Sequence, residues 1–88
     1  MLNNKEDGCL ICGKHPVEVH HILPGCRRKN SDDLDLMVYL CHEHHNEPGF
    51  SAHYDKGFAD TLKAMAQRKY EKTHTHEEWM EVVGKNYL

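Results

Sequence analysis

Two short clusters of potential metal ligands, Cys9-Leu10-Ile11-Cys12 and Cys41-His42-Glu43-His44-His45, stand at opposite ends of a hairpin-sized stretch, with His20-His21 between them. Thiolates or imidazoles two residues apart chelate one ion from a knuckle or from the first turn of a helix, and a tetrahedral site takes four of them. Cys9, Cys12, Cys41 and His44 complete such a set. His20, His21, His45 and His53 are left over. The pattern therefore predicts one structural metal and a second, open metal site able to do chemistry. The competing view of the cysteines is that they are small buried thiols. Cys26 is a rival fourth ligand, but it follows Pro24-Gly25 in a basic stretch and has no second ligand close by.

The surplus histidines fall on different faces. Neighbours on a strand point to opposite sides, so His20 and His21 share one site only if the strand ends there and each approaches it by a different route. On a helix His45 points about 100° away from His44 and faces a different site. His53 follows in the next loop. Three neutral imidazoles around a divalent ion, with positions left for water and phosphate, make a hydrolytic centre. Single histidines are more often surface or capping residues; two pairs beside a knuckle favour metal binding.

The elements that must position these groups are short. Cys9 to Gly13 reads as a zinc knuckle whose glycine permits the tight turn. Val17 to Leu23 is β-branched and reads as a strand, ended by Pro24-Gly25. Cys26 to Asp33 is polar and reads as a loop. Leu34 to Leu40 predicts a second strand, and His42 to Asn46 a short helix stopped before Pro48-Gly49. Phe58, Leu62, Met65 and Lys69, with Ala59, Ala66 and Tyr70 beside them, predict a helix over 57–72. Thr75 and Glu78 form a capping-box pattern for a last helix over 76–83, with Trp79, Met80 and Val83 on its apolar face and Gly84 as its stop. Met1 to Gly8 reads as a loose polar lead-in.

Eighty-eight residues make one domain, divided into a metal-binding core over 9–53 and a helical cover over 57–88. With one Trp, two Phe and four Tyr the core is small, and chains of this size recruit a metal or a partner to hold their fold. No signal peptide is visible at Met1-Leu2-Asn3-Asn4-Lys5, and no apolar stretch is long enough to span a membrane. A CxxC beside histidines without a secretion signal reads as metal binding rather than a disulfide framework, which gives a cytoplasmic expectation. The net charge of −3 argues against nonspecific coating of nucleic acid. Arg27-Arg28-Lys29 is a local basic cluster suited to a phosphate, or else a solvated loop.

The order Cys9-x-x-Cys12, then Val19-His20-His21-Ile22-Leu23-Pro24-Gly25, then Leu40-Cys41-x-x-His44-His45 resembles the HNH endonucleases of the ββα-metal, or His-Me finger, superfamily. More narrowly it resembles the small phage and prophage HNH proteins related to the phage recombination-enhancing nuclease. The tail, Val83 to Leu88, is also similar to short prophage proteins of this kind. The resemblance implies an α+β fold, a zinc-stabilised, treble-clef-like ββα-metal finger with knuckle, β-hairpin and C-terminal helices. It implies metal-dependent hydrolysis of DNA phosphodiester bonds, by nicking or double-strand cleavage.

By the resemblance, Cys9, Cys12, Cys41 and His44 match the structural zinc ligands and His21 the general base. His20 matches a metal-ligand position, usually aspartate but histidine in colicin-type members. His45 and His53 match the remaining ligands of a catalytic divalent ion: Mg²⁺, Mn²⁺, Ni²⁺ or Zn²⁺. The family's middle asparagine, which orients the base, has no direct counterpart; Asn30, Asp33, Asp35 or a backbone carbonyl takes that role. Arg27, Arg28 or Lys29 holds a neighbouring phosphate. DNA is the expected partner, in the host cytoplasm, with a homodimer or phage recombination and packaging proteins as further candidates. The alternative is a noncatalytic zinc module that binds nucleic acid or a phage protein. A metal-binding accessory domain without a nucleic-acid role is the third reading.

Overall fold

The computed structural model describes residues 1–23 and 35–88. The architecture is α+β: an antiparallel pair of strands packed on a short helix beside a cysteine–histidine cluster, followed by two more helices. Strand β1 covers Glu18–His21 and β2 covers Met37–Leu40, in the register Glu18↔Leu40, Val19↔Tyr39, His20↔Val38 and His21↔Met37. Helix α1 covers His42–Asn46, α2 covers Lys56–Tyr70 and α3 covers His76–Val83.

Both strands are shorter than their apolar runs. Ile22 still donates its N–H to the Leu36 carbonyl (3.2 Å), after which the chain bends away, with Ile22 and Leu23 buried. Alternation divides the hairpin into two faces. His20, Val38 and Leu40 are on the buried face, while Val19 is 43% exposed on the other.

The first residues are not a loose lead-in. Leu2 N–H donates to the Met37 carbonyl (2.8 Å). The Asn3 amide brackets Tyr39, accepting from its N–H (2.9 Å) and donating to its carbonyl (3.1 Å). These bonds cover the outer edge of β2, whose backbone groups would otherwise face solvent unpaired. The polar composition of this segment hid the fact that its asparagine amide imitates a strand partner.

Helix α2 begins one residue earlier than its apolar pattern predicts, because Asp55 caps it by accepting from Phe58 N–H (2.9 Å). Its buried line is Phe58, Leu62, Ala66 and Tyr70, at successive i+4 positions, with Met65 only partly buried. Helix α3 has the bounds expected. The Thr75–Glu78 capping box forms in both directions (3.1 and 3.0 Å), and Gly84 takes the left-handed conformation at φ 81°. Trp79, with no exposed surface, donates its indole N–H to the Lys85 carbonyl (2.8 Å) and is buried with Ile22, Leu36, Val38, Leu62 and Val83 in one core.

Gln67 is a fully buried polar residue of α2, as Ser51 is in the preceding loop. Its Nε2 donates to Glu71 (2.6 Å) and Asn86 (2.8 Å), and its Oε1 accepts from Tyr87 N–H (2.8 Å), tying the C-terminal segment to α2. Gln67→Leu keeps the volume but strands a buried N–H and two acceptors. A loss of about 2–3 kcal/mol in urea unfolding is expected, with faster amide exchange over 84–88. A loss under about 0.5 kcal/mol would mean that the tail is held by packing alone.

Candidate metal centres

The first centre is built at the junction of the knuckle and α1. Cys9 N–H donates to the Lys14 carbonyl (3.1 Å) and Gly13 N–H to the Cys9 carbonyl (2.9 Å), closing the knuckle. Two glycines permit this, Gly8 at φ 76° and Gly13 at φ 74°. A Cβ on Gly8 would lie 2.4 Å from the Gly13 carbonyl oxygen, which no side chain tolerates. Gly8→Ala is therefore expected to weaken zinc retention against a chelator, read as faster release to a chromophoric dye; unchanged release would show that the knuckle adapts.

Cys41 caps the N-terminus of α1 at the end of β2, and His44 stands one turn along. The Cys41 Sγ lies 3.3 Å from His44 Nδ1 and 3.7 Å from Cys12 Sγ, while Cys9 Sγ lies 3.6 Å from His44 Nδ1. Tetrahedral zinc with bonds of about 2.3 Å to sulfur and about 2.0–2.1 Å to nitrogen separates its ligands by about 3.5–3.8 Å. The four atoms are thus spaced close to the edges of that tetrahedron, and the sulfurs are too far apart for a disulfide. Cys9, Cys12 and Cys41 are free thiols. Burial opposes ionisation of Cys9, but the backbone N–H groups of Cys41, Cys12 and Ile11 outweigh it and bring the thiol down to about 6. Burial and the neighbouring thiols push Cys41 up. Cys9 is thus prepared as a thiolate, whereas Cys41 would give up its proton to a bound ion. Zinc fits the donor set.

The second centre lies across α1 from the first. Adjacent residues on a helix diverge by about 100°, so His44 joins the cysteines while His45 turns toward His20 and His53. The following loop is clamped onto the helix, Ala52 N–H donating to the His44 carbonyl (2.8 Å) and His53 N–H to the His45 carbonyl (3.3 Å). This places the His53 Nε2 3.2 Å from the His45 Nε2. The ring centroids are 5.1 Å apart for His20–His45, 5.2 Å for His20–His53 and 4.8 Å for His45–His53, and one nitrogen from each lies within 4.8 Å of the others.

His20 is buried and His53 exposed, so the cluster opens to solvent on one side. Burial, reinforced by the charges of His45, His53, His21 and Lys63, pushes His20 down to about 4. Burial and His45 lower His53 as well. Near neutral pH His20 is therefore an unprotonated imidazole, the ligand form. Three nitrogen ligands would leave a divalent ion with open positions, unlike the four ligands of the first cluster.

Sequence reasoning missed Glu18. It sits on β1 two residues before His20, hence on the same face of the strand. Its Oε1 accepts from His45 Nδ1 (2.8 Å) and from Asn46 Nδ2 (2.9 Å), while its Oε2 lies 3.2 Å from His42 Nδ1. The hydrogen bond from His45 holds the Glu18 carboxyl below the usual range, and His42 adds to this. The period-2 spacing Glu18-x-His20 was the available signal; its partner on α1 was not legible.

His21 is the last residue of β1 and half-buried, its side chain on the face opposite His20. β1 ends at His21, after which the backbone bends. The Asp35 carboxylate is taken up by the Met1 amine (2.6 Å) and Lys69 (3.5 Å). Cys26, Arg27, Arg28, Lys29, Asn30 and Asp33 lie outside the described residues. A basic surface the sequence reading did not single out is formed by Arg68 and Lys69 of α2 with Lys72 just beyond its end, lining a cleft of about 410 Å³ with Met1, Leu2 and Met65. Among the described residues no helix is long and apolar enough to cross a membrane.

Fold and site together define the class: a small α+β domain with a Cys₃His cluster beside a β-hairpin and helix, compatible with a zinc finger of the ββα kind. Comparison with protein-family models, with curated proteins and with solved structures gave no match.

Proposed function

We propose that this protein is a metal-dependent endonuclease of the HNH type, of phage or prophage origin, hydrolysing DNA phosphodiester bonds. The observation that carries the reading is the convergence of His20, His45 and His53 on one open cluster beside the Cys₃His set. The motif order described above adds the family resemblance.

His20, His45 and His53 would hold the catalytic ion, leaving positions on its exposed side. A divalent ion bound there supplies Lewis-acid stabilisation of the charge that develops on phosphate oxygens. His21 takes the proton from the attacking water, a task suited to imidazole at neutral pH. Arg27, Arg28 or Lys29 holds a flanking phosphate, and the Arg68–Lys72 surface adds positive charge along the backbone.

Plasmid nicking in Mg²⁺, Mn²⁺, Ni²⁺ and Zn²⁺ tests this. His45→Ala and His53→Ala are each expected to slow nicking at least about 100-fold while keeping one tightly held zinc. Wild-type protein that holds one zinc yet nicks DNA in none of these ions sinks the nuclease reading. The second reading, a noncatalytic zinc module binding nucleic acid or a phage protein, is favoured by the net charge of −3 and by the engagement of Asp35 with Met1 and Lys69. It is supported if DNA shifts without cleavage, with an affinity that falls steeply with salt.

A further inference from the structure

We propose that Glu18 is the positioning residue of the second centre, holding His45 with its proton on Nδ1 and its Nε2 lone pair directed at a bound divalent ion; this rests on the reading that His20, His45 and His53 bind a metal. A carboxylate only accepts hydrogen bonds, so the 2.8 Å contact requires the proton on His45 Nδ1. The tautomer leaves Nε2 as the ligand atom. That atom lies 3.2 Å from His53 Nε2, within the range of about 2.9–3.4 Å set by two nitrogens on one ion with bonds of about 2.0–2.1 Å.

Glu18 is itself braced. Asn46 donates to the same oxygen at 2.9 Å, and His42 lies 3.2 Å from the other. His42 in turn reaches Glu47 through Nε2 at 2.9 Å. One short strand therefore supplies a ligand, His20, and two residues earlier the carboxylate that aims a ligand borne by α1. The arrangement fixes strand and helix relative to each other at the point where both must reach one ion. Carboxylates in this position orient the imidazole and raise its basicity, and losing them weakens metal binding by roughly 10–100-fold.

A purely structural role predicts something different. The Glu18 side chain is 42% exposed and His42 61% exposed, so their pairing adds little to stability. The test uses the full chain with zinc in the cysteine site and Co²⁺ alone as the probe of the histidine site, followed by its d–d absorption. Wild type, Glu18→Ala and Glu18→Gln are compared for Co²⁺ affinity, zinc content and melting temperature. Glu18→Ala is expected to weaken Co²⁺ binding roughly 10–100-fold and Glu18→Gln less, because the amide oxygen still accepts from Nδ1–H, with zinc content and melting temperature near those of wild type.

Equal Co²⁺ affinity in all three proteins overturns the assignment while leaving the metal reading intact. Failure of the wild type to take up Co²⁺ overturns the metal reading and the assignment with it. Loss of zinc and of melting temperature in both variants makes Glu18 a structural residue instead.

Discussion

Removing the metal from Cys9, Cys12, Cys41 and His44 is expected to unfold the domain. The strand pair has four paired positions, and an isolated two-stranded unit is marginal in water. The knuckle meets β2 through the bond from Leu10 N–H to the Tyr39 carbonyl (3.1 Å), and the four ligands draw knuckle and α1 together. Apparent zinc-binding energies of about 10–16 kcal/mol in small modules match or exceed the whole stability of a typical domain, about 5–15 kcal/mol. A strong chelator, or Cys41→Ser, should therefore abolish the cooperative thermal transition and collapse amide dispersion in NMR spectra. His45→Ala and His53→Ala, on the other side of the same helix, should leave both intact. Chelated protein that still melts cooperatively near the native temperature would show that the Phe58–Trp79 core suffices.

The second large effect concerns His21. With His21→Ala the nicking rate is expected to fall by about 10²–10⁴, the usual contribution of a positioned acid–base group. The contents of both metals should stay at wild-type levels. That combination separates His21 from His20, whose replacement should also cost the second ion. The decisive measurement pairs single-turnover nicking with metal analysis on the same preparation. A His21→Ala protein that cuts at the wild-type rate removes His21 from the mechanism. One that loses metal as well makes it a ligand.

Much of this architecture was legible because metal chemistry is written in local spacing. Cys9-x-x-Cys12 and Cys41-x-x-His44 each chelate from a single turn, so their pairing required only that the two segments meet. The bounds of α1 and α3 were equally local, set by Pro48-Gly49, by the Thr75–Glu78 box and by Gly84. The lead-in was misread because a polar residue there serves a distant backbone: Asn3 completes the edge of β2 at Tyr39. Gln67, which the sequence did not single out, likewise anchors Tyr87 N–H and the Asn86 side chain. Nothing in the composition of either neighbourhood marks it as a partner.

By itself the sequence determined the Cys₃His set, the order of elements and the surplus of histidines, because ligand spacing, capping and apolar periodicity act over a few residues. The tertiary structure decided how the three histidines that the resemblance singled out come together. His20 comes from a strand, His45 from the far side of a helix and His53 from a loop held by two backbone hydrogen bonds to that helix. It alone revealed Glu18 as the carboxylate behind His45. Such contacts depend on how β1 and α1 pack against each other, and side chains 27 positions apart carry no local mark of meeting.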